Sequence, residues 1–189
     1  KSSNEKNIEK LNKQIEWWKE YVAKNDSTLD NNPSPGNKKG GLTTILEKSL
    51  GAVSKAGNRN MVDVLDYAEQ VKTKGLNFMN SPGYDPVSVT GQVASGANVI
   101  CFTTGRGSCF GFKPTPSIKI ATNTNMYNKL SEDMDINAGT IMDNVASVNE
   151  VGKEIFDKII SVASGEKSKS EINDYGDDEF NPWIIGATL

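Results

Sequence analysis

The sequence predicts an α/β fold, a mostly parallel sheet in a three-layer arrangement flanked by helices, built as a single domain. Three observations carry this. Val99 to Thr103 and Ile118 to Thr122 are short apolar runs rich in strand formers, as expected of strands covered on both faces. Residues 4–24, the stretch after Thr44 and the stretch after Ser147 repeat apolar residues at spacings of three and four, the pattern of helices that dock on a sheet. Between the two strand-like runs lie Gly105, Gly107, Gly111, Pro114 and Pro116 with Arg106 and Lys113. Loops leaving the carboxyl ends of parallel strands carry ligands in such Rossmann-like sheets.

Taken in order, Ile8, Leu11, Ile15, Trp18 and Val22 form the stripe of an N-terminal helix, residues 1–24, widened by Trp17 and Tyr21. The adjacent tryptophans read more readily as a docked helix face than as a ligand-stacking site. Residues 31–41 read as a loop entering a helix. Thr44 and Glu47 form its capping box, and Ile45, Leu46, Leu50 and Val53 supply a buried face. Gly40, Gly41, Thr43 and Thr44 thereby sit at a helix N-terminus, where unpaired N–H groups favour an anion, with Asn37 and Lys38 just ahead. The lysine precedes the glycines, so this is not a Walker loop.

Residues 60–73 fit helix or irregular chain, and 75–80 a short strand. In the loop 81–86 the proline after Asp85 biases that residue toward an extended backbone, and 87–95 suggests a short helix. Cys101, inside an apolar run, reads as a buried thiol. A helix from Asn123 to about Met134 would end in the pair Asp133 and Asp135, read as a solvated helix end because the remainder of a calcium loop is missing. Ser147 and Glu150 cap the last clear helix, with Val151, Ile155, Ile159 and Val162 as its core face beside Phe156 and Ile160. Residues 165–179 read as a polar loop, and 180–185 as an apolar segment docking back on the body, so that 165–189 forms a docking tail.

Composition narrows the chemistry. The chain has 189 residues and a net charge of −3, from 21 basic and 24 acidic side chains, with no basic stripe to follow phosphates; nucleic-acid binding is not expected. No stretch approaches a membrane span and no signal peptide opens the chain; two cysteines fit a reducing cytoplasm. The first residue is Lys, as in a piece of something longer. Histidine is absent. Acid–base work within this chain therefore falls to Asp, Glu, Lys, Arg, Tyr or Cys.

The blocks Asn31 to Gly51, Pro82 to Pro86, Thr103 to Ser108, Asp133 to Gly139 and Pro182 to Gly186 together resemble the C-terminal region of the altronate and galactarate dehydratases over nearly the whole chain. The resemblance implies that residues 1–189 are the C-terminal catalytic or substrate-binding domain of a longer hydro-lyase of hexuronate catabolism. That enzyme would convert a sugar acid, altronate first, to a 2-keto-3-deoxy acid and water. Galactarate dehydration, sulfolactate cleavage and a non-catalytic assembly domain are the alternatives. It further implies a divalent metal, iron(II) or manganese, held by an N-terminal domain, a homo-oligomer, and an inactive chain when that domain is missing. No metal ligand is assigned in this chain.

That reaction draws a proton from the carbon beside a carboxylate and expels hydroxide, so it needs cations and oriented donors around the carboxylate. Arg106, Lys38 and the backbone N–H groups of Gly40, Gly41 and Gly107, with Gly105 giving room, fit carboxylate binding. Ser108, Asn37, Thr43 and Thr44 fit hydroxyl recognition. Lys113, Lys119 and Asp85 are the candidate bases, and the sequence does not rank them. A phosphate- or nucleotide-binding module is the remaining class, disfavoured because the acidic residue and strand context of a dinucleotide site are missing.

Overall fold

The computed structural model describes residues 4–29, 35–39 and 41–186. Helices α1 (Glu5–Lys24), α2 (Pro35–Lys39) and α3 (Ile45–Lys55) precede strands β1 (Met61–Leu65) and β2 (Leu76–Met79) and helix α4 (Asp85–Ala94). Then follow β3 (Ile100–Thr104), β4 (Ser117–Ala121), α5 (Thr124–Lys129), β5 (Ile136–Asn137), a 3-10 turn (Ala138–Ile141), α6 (Val148–Ala163) and α7 (Lys169–Ile172). The expected α/β class with parallel strands and flanking helices is what is found. Among the described residues all strand pairs are parallel, and they form two small sheets, β1-β2 and β3-β4-β5. Contacts group the chain into two compact units, Lys1–Ser95 with Pro182–Leu189, and Gly96–Asn181.

In the first unit α1 runs beside β1. Asn7, Lys10 and Gln14, three to four residues apart on one helix face, donate to the carbonyls of Val62, Val64 and Leu65 at 2.9, 2.9 and 3.0 Å. Polar side chains of α1 thus bond carbonyls of β1, and the Leu65 carbonyl also accepts from Asn80 N–H at 2.9 Å. Trp18 and Trp183 stack at 5.3 Å, and Gly186 N–H donates to the Tyr21 hydroxyl at 2.9 Å, so the closing apolar segment does dock, as expected. β1 lies in the stretch 60–73, whose sequence pattern fits helix or irregular chain and not a strand. Asp85 opens α4 and Tyr84 is the extended residue before it; a proline at the start of a helix loses no hydrogen bond, so the extended bias shifts one residue back. Asn37 and Lys38 lie in α2 and not in a loop.

The cap at Thr44 forms, its hydroxyl accepting from Glu47 N–H at 3.2 Å, but Glu47 returns its carboxylate to Thr43, one residue earlier than a standard box. α3 buries none of its residues. Ile45, Leu46, Leu50 and Val53, expected in the core, are all exposed.

In the second unit β4 is the central strand and every one of its residues is buried. Ile118 and Ile120 pack with Ile136 and Val162, with Ile155 and Ile159 of α6 behind them. Ser117, Lys119 and Ala121 point to the opposite face. β3 is less covered than its sequence suggests: Cys101 is exposed, because β3 is an edge strand. Ser147 and Glu150 make the reciprocal capping box of α6. Phe156 and Ile160 lie outside its core face and are exposed. α5 is shorter than expected, and residues 169–172, assigned to loop by sequence, form one turn of helix. The pair Asp133 and Asp135 is not a solvated helix end. The chain leaves α5 and dives into β5, taking Asp135 to nearly full burial, with a side chain 1% exposed.

Candidate functional site

Lys119 sits in mid-strand on β4 and is completely buried, yet its Nζ has no hydrogen-bond partner. Such an amine is costly unless it is paired or neutral. The nearest carboxylate oxygen, Asp133 Oδ1, is 4.0 Å away and itself lacks a hydrogen-bond partner. The Tyr175 ring covers the amine at 5.1 Å from its centroid. Burial lowers the pKa of Lys119, and the attraction of Asp133, Asp135, Cys109 and Glu179 only partly offsets this. Tyr175 shifts the other way: the negative charge of Asp133, and a hydrogen bond to it, raise the phenol pKa and keep the hydroxyl protonated. A base and an acid whose pKa values are shifted in opposite directions thus flank one carboxylate.

The second carboxylate is structural. Asp135 accepts from Lys119 N–H at 2.8 Å and from Lys169 N–H at 3.0 Å, tying the α7 turn to β4. Ser170 adds a bond to the Ser117 carbonyl at 2.9 Å. From that anchor the chain turns through Asp174 and Gly176, both at positive φ, to bring Tyr175 over the lysine. The turn is packed backbone to backbone. A Cβ on Gly111 would lie 2.9 Å from Tyr175, and one on Gly176 2.8 Å from the main chain of Phe112 and Lys113. Glycine is needed at both places, at Gly176 also because of its φ of 111°.

The other sequence candidates fall as follows. In the second unit Arg106 is exposed, and the N–H groups of Arg106 and Gly107 both face the Thr104 hydroxyl, at 3.3 and 3.1 Å. Gly107 has φ of 96°, and Gly105 gives its carbonyl to Asn123 at 2.9 Å. Ser108 Oγ accepts from Phe110 N–H at 3.0 Å. Lys113 is ion-paired to Asp174 at 2.5 Å and to Asp177 at 3.5 Å, which raises its pKa and holds it as a cation. Of the three candidate bases, Lys119 is therefore the one whose surroundings favour the free amine.

In the first unit Asp85 has its pKa raised by burial. Asn37 Oδ1 accepts from Lys48 at 3.2 Å, and Gly41 N–H is already spent on the Lys38 carbonyl at 3.0 Å. At the entry to α3 the Glu47 carboxylate occupies Thr43 N–H at 2.9 Å, and the Thr44 hydroxyl takes Glu47 N–H. The helix start expected to hold a substrate anion carries one of its own. Gly40 lies outside the described residues. Sequence reasoning missed Tyr175 as a partner of the lysine; the one available signal was a lone aromatic beside a glycine in an acidic segment.

Among the described residues no group of three His, Cys, Asp or Glu side chains gathers where one ion would be held. The described residues therefore do not form a ligand set for a divalent metal, and no step below runs through one. Among the described residues no helix is long and apolar enough to cross a membrane.

A parallel α/β unit that buries a lysine amine against a carboxylate and a tyrosine has the geometry of a candidate proton-transfer centre. The chain belongs to the D-galactarate/altronate dehydratase C-terminal family, whose model matches residues 1–188. It is 43% identical over 164 residues to galactarate dehydratase (L-threo-forming) of Escherichia coli (strain K12), covering 87% of this chain and 31% of the relative. Altronate dehydratase of Bacillus subtilis (strain 168) is 40% identical over 176 residues, covering 93% of this chain and 35% of that protein. Altronate dehydratase of Escherichia coli (strain K12) is 39% identical over 173 residues, 91% of this chain and 34% of that one. The chain thus spans about a third of the length of the curated relatives it matches.

Proposed function

We propose that this chain is the C-terminal domain of a sugar-acid hydro-lyase, acting on altronate or galactarate, and that Lys119 is its general base. The buried amine of Lys119, without a hydrogen-bond partner and with its pKa lowered, carries the reading. As a neutral amine, Lys119 Nζ accepts the proton from the carbon beside the substrate carboxylate. The electron pair of that C–H bond forms the carbon–carbon double bond as the C–O bond to the neighbouring hydroxyl breaks. The departing hydroxide takes a proton from the Tyr175 hydroxyl and leaves as water. The resulting enol then becomes the 2-keto-3-deoxy acid. Asp133 orients the phenol and balances the ammonium that Lys119 becomes. Arg106 grips the substrate carboxylate, where its fork-shaped guanidinium matches a planar anion.

The dehydratases are nearer to this chain than the sulfolactate sulfo-lyase relative, which favours loss of water over cleavage of a sulfonate. A divalent metal, iron(II) or manganese, supplied from outside this chain would give Lewis-acid help at the substrate oxygens; a cytoplasmic homo-oligomer remains part of the proposal. The test is the pH dependence of kcat/KM in the full-length enzyme. Activity should rise with pH through the lowered Lys119 pKa, and Lys119→Met should remove both the rise and the turnover. A Lys119→Met enzyme that keeps wild-type rates and the same pH profile would overturn the assignment.

A further inference from the structure

We propose that the first unit holds a separate binding site for a polyhydroxylated, sugar-like ligand, in the cavity at the carboxyl ends of β1 and β2. The cavity has a volume of about 480 Å³ and lies among Trp17, Tyr67 and Trp183, with Lys13, Asp66 and Asn80 at its polar edge. Asp66 and Asn80 are the residues directly after β1 and β2, the place where parallel sheets take their ligands.

The walls are packed against one another. Trp183 meets Trp17 edge-on at 5.6 Å and Tyr67 edge-on at 5.3 Å, and stacks on Trp18 at 5.3 Å. The Tyr67 hydroxyl is tied to the Val87 carbonyl at 2.8 Å. Asn80 accepts from Trp18 Nε1 at 2.7 Å through its Oδ1, which fixes the amide and leaves Nδ2 as a donor toward a ligand. Aromatic faces take the C–H face of a sugar, while an amide, a carboxylate and an ammonium arranged around them suit its hydroxyls. The size falls within the roughly 300–1,000 Å³ of small-molecule sites.

The charge at the rim is mixed. Lys10 is paired with Asp63 at 3.1 Å and Lys13 with Glu9 at 2.8 Å, so hydroxyl recognition by aromatic and amide groups dominates over capture of an anion. This site is independent of the Lys119 centre and does not require the proposed reaction.

Tryptophan emission reads this cavity directly, because the chain has three tryptophans and Trp17, Trp18 and Trp183 all belong to this cluster. The full chain is titrated separately with altronate, galactarate and the neutral polyol galactitol. A saturable emission change is expected, weakened about tenfold by Trp17→Leu, which removes one aromatic wall. Lys13→Gln, at an exposed position, should weaken the two acids more than galactitol if an acid is the natural ligand, and all three equally if a neutral sugar is. No saturable change with any of the three, or affinities unchanged in both variants, would overturn the proposal. Binding abolished by Lys119→Met and untouched by Trp17→Leu would place the ligand at the lysine, sinking this inference and leaving the catalytic reading intact. Binding that persists while Lys119→Met keeps full dehydratase activity would do the reverse.

Discussion

Replacing Lys119 by Met should make the fold more stable. The side chain is completely buried, its amine has no hydrogen-bond partner, and its closest carboxylate oxygen is 4.0 Å away. A lowered pKa means that burial disfavours the ammonium by more than Asp133 and Asp135 favour it. A buried, unsatisfied polar group costs about 1–3 kcal/mol. Met fills nearly the same volume without that cost, so Lys119→Met should gain about 1–3 kcal/mol at neutral pH, less whatever Asp133 loses with its cation. For a chain of this size each kcal/mol moves Tm by roughly 2–4 °C. The pH dependence has a definite sign. Between the lowered folded pKa and the ordinary 10.5, the unfolded chain holds the proton and the folded chain does not, so wild-type stability climbs as pH rises through that window. The Met variant lacks this contribution, and its advantage should shrink toward high pH. Urea denaturation at several pH values measures both effects. A variant less stable than wild type by more than about 1 kcal/mol, the margin of such bookkeeping, together with an unchanged pH slope, would show Lys119 to be an ordinary buried ion-pair partner, and the reasoning would fail.

Three further outcomes follow from the same geometry. Asp135→Ala leaves the Lys119 and Lys169 N–H groups without their acceptor and should cost about 1–3 kcal/mol for each, seen as a lower urea midpoint with unchanged m. Gly176→Ala puts a Cβ 2.8 Å from the Phe112 and Lys113 main chain at positive φ. It should destabilise by at least about 1–2 kcal/mol and, in the full-length enzyme, reduce kcat by displacing Tyr175. Arg106→Lys keeps the charge and loses the two-pronged grip, so kcat and kcat/KM should both fall in the full-length enzyme while Tm stays constant; normal values of both constants would remove Arg106 from the site.

What could be read in advance was local. Thr44 and Ser147 cap helices where the pattern of polar residue before apolar stripe points, and β4 is buried throughout, as its composition suggests. β1 was ambiguous because Val62, Val64 and Leu65 alternate with Asp63 over too few residues to separate the two periods. The exposure of α3, and of Phe156 and Ile160 on α6, was not legible, since an apolar stripe specifies that something should cover it without saying what. For the site, the sequence placed Lys119 among three bases. Choosing among them required tertiary facts: the Asp174 carboxylate against Lys113, the absence of a hydrogen-bond partner at Lys119 Nζ, and a tyrosine 56 positions downstream folded over it. Asp133 and Asp135 look alike in sequence, yet one faces the amine and the other clamps backbone N–H groups.

The most direct test of the central claim is the rate at which the full-length Lys119→Met enzyme releases 2-keto-3-deoxy acid from altronate or galactarate, measured alongside its Tm. A general base contributes about 10²–10⁴ in rate, so kcat should fall by that factor while Tm stays level or rises. A rate within about threefold of wild type, well short of the effect of a lost base, would contradict the account.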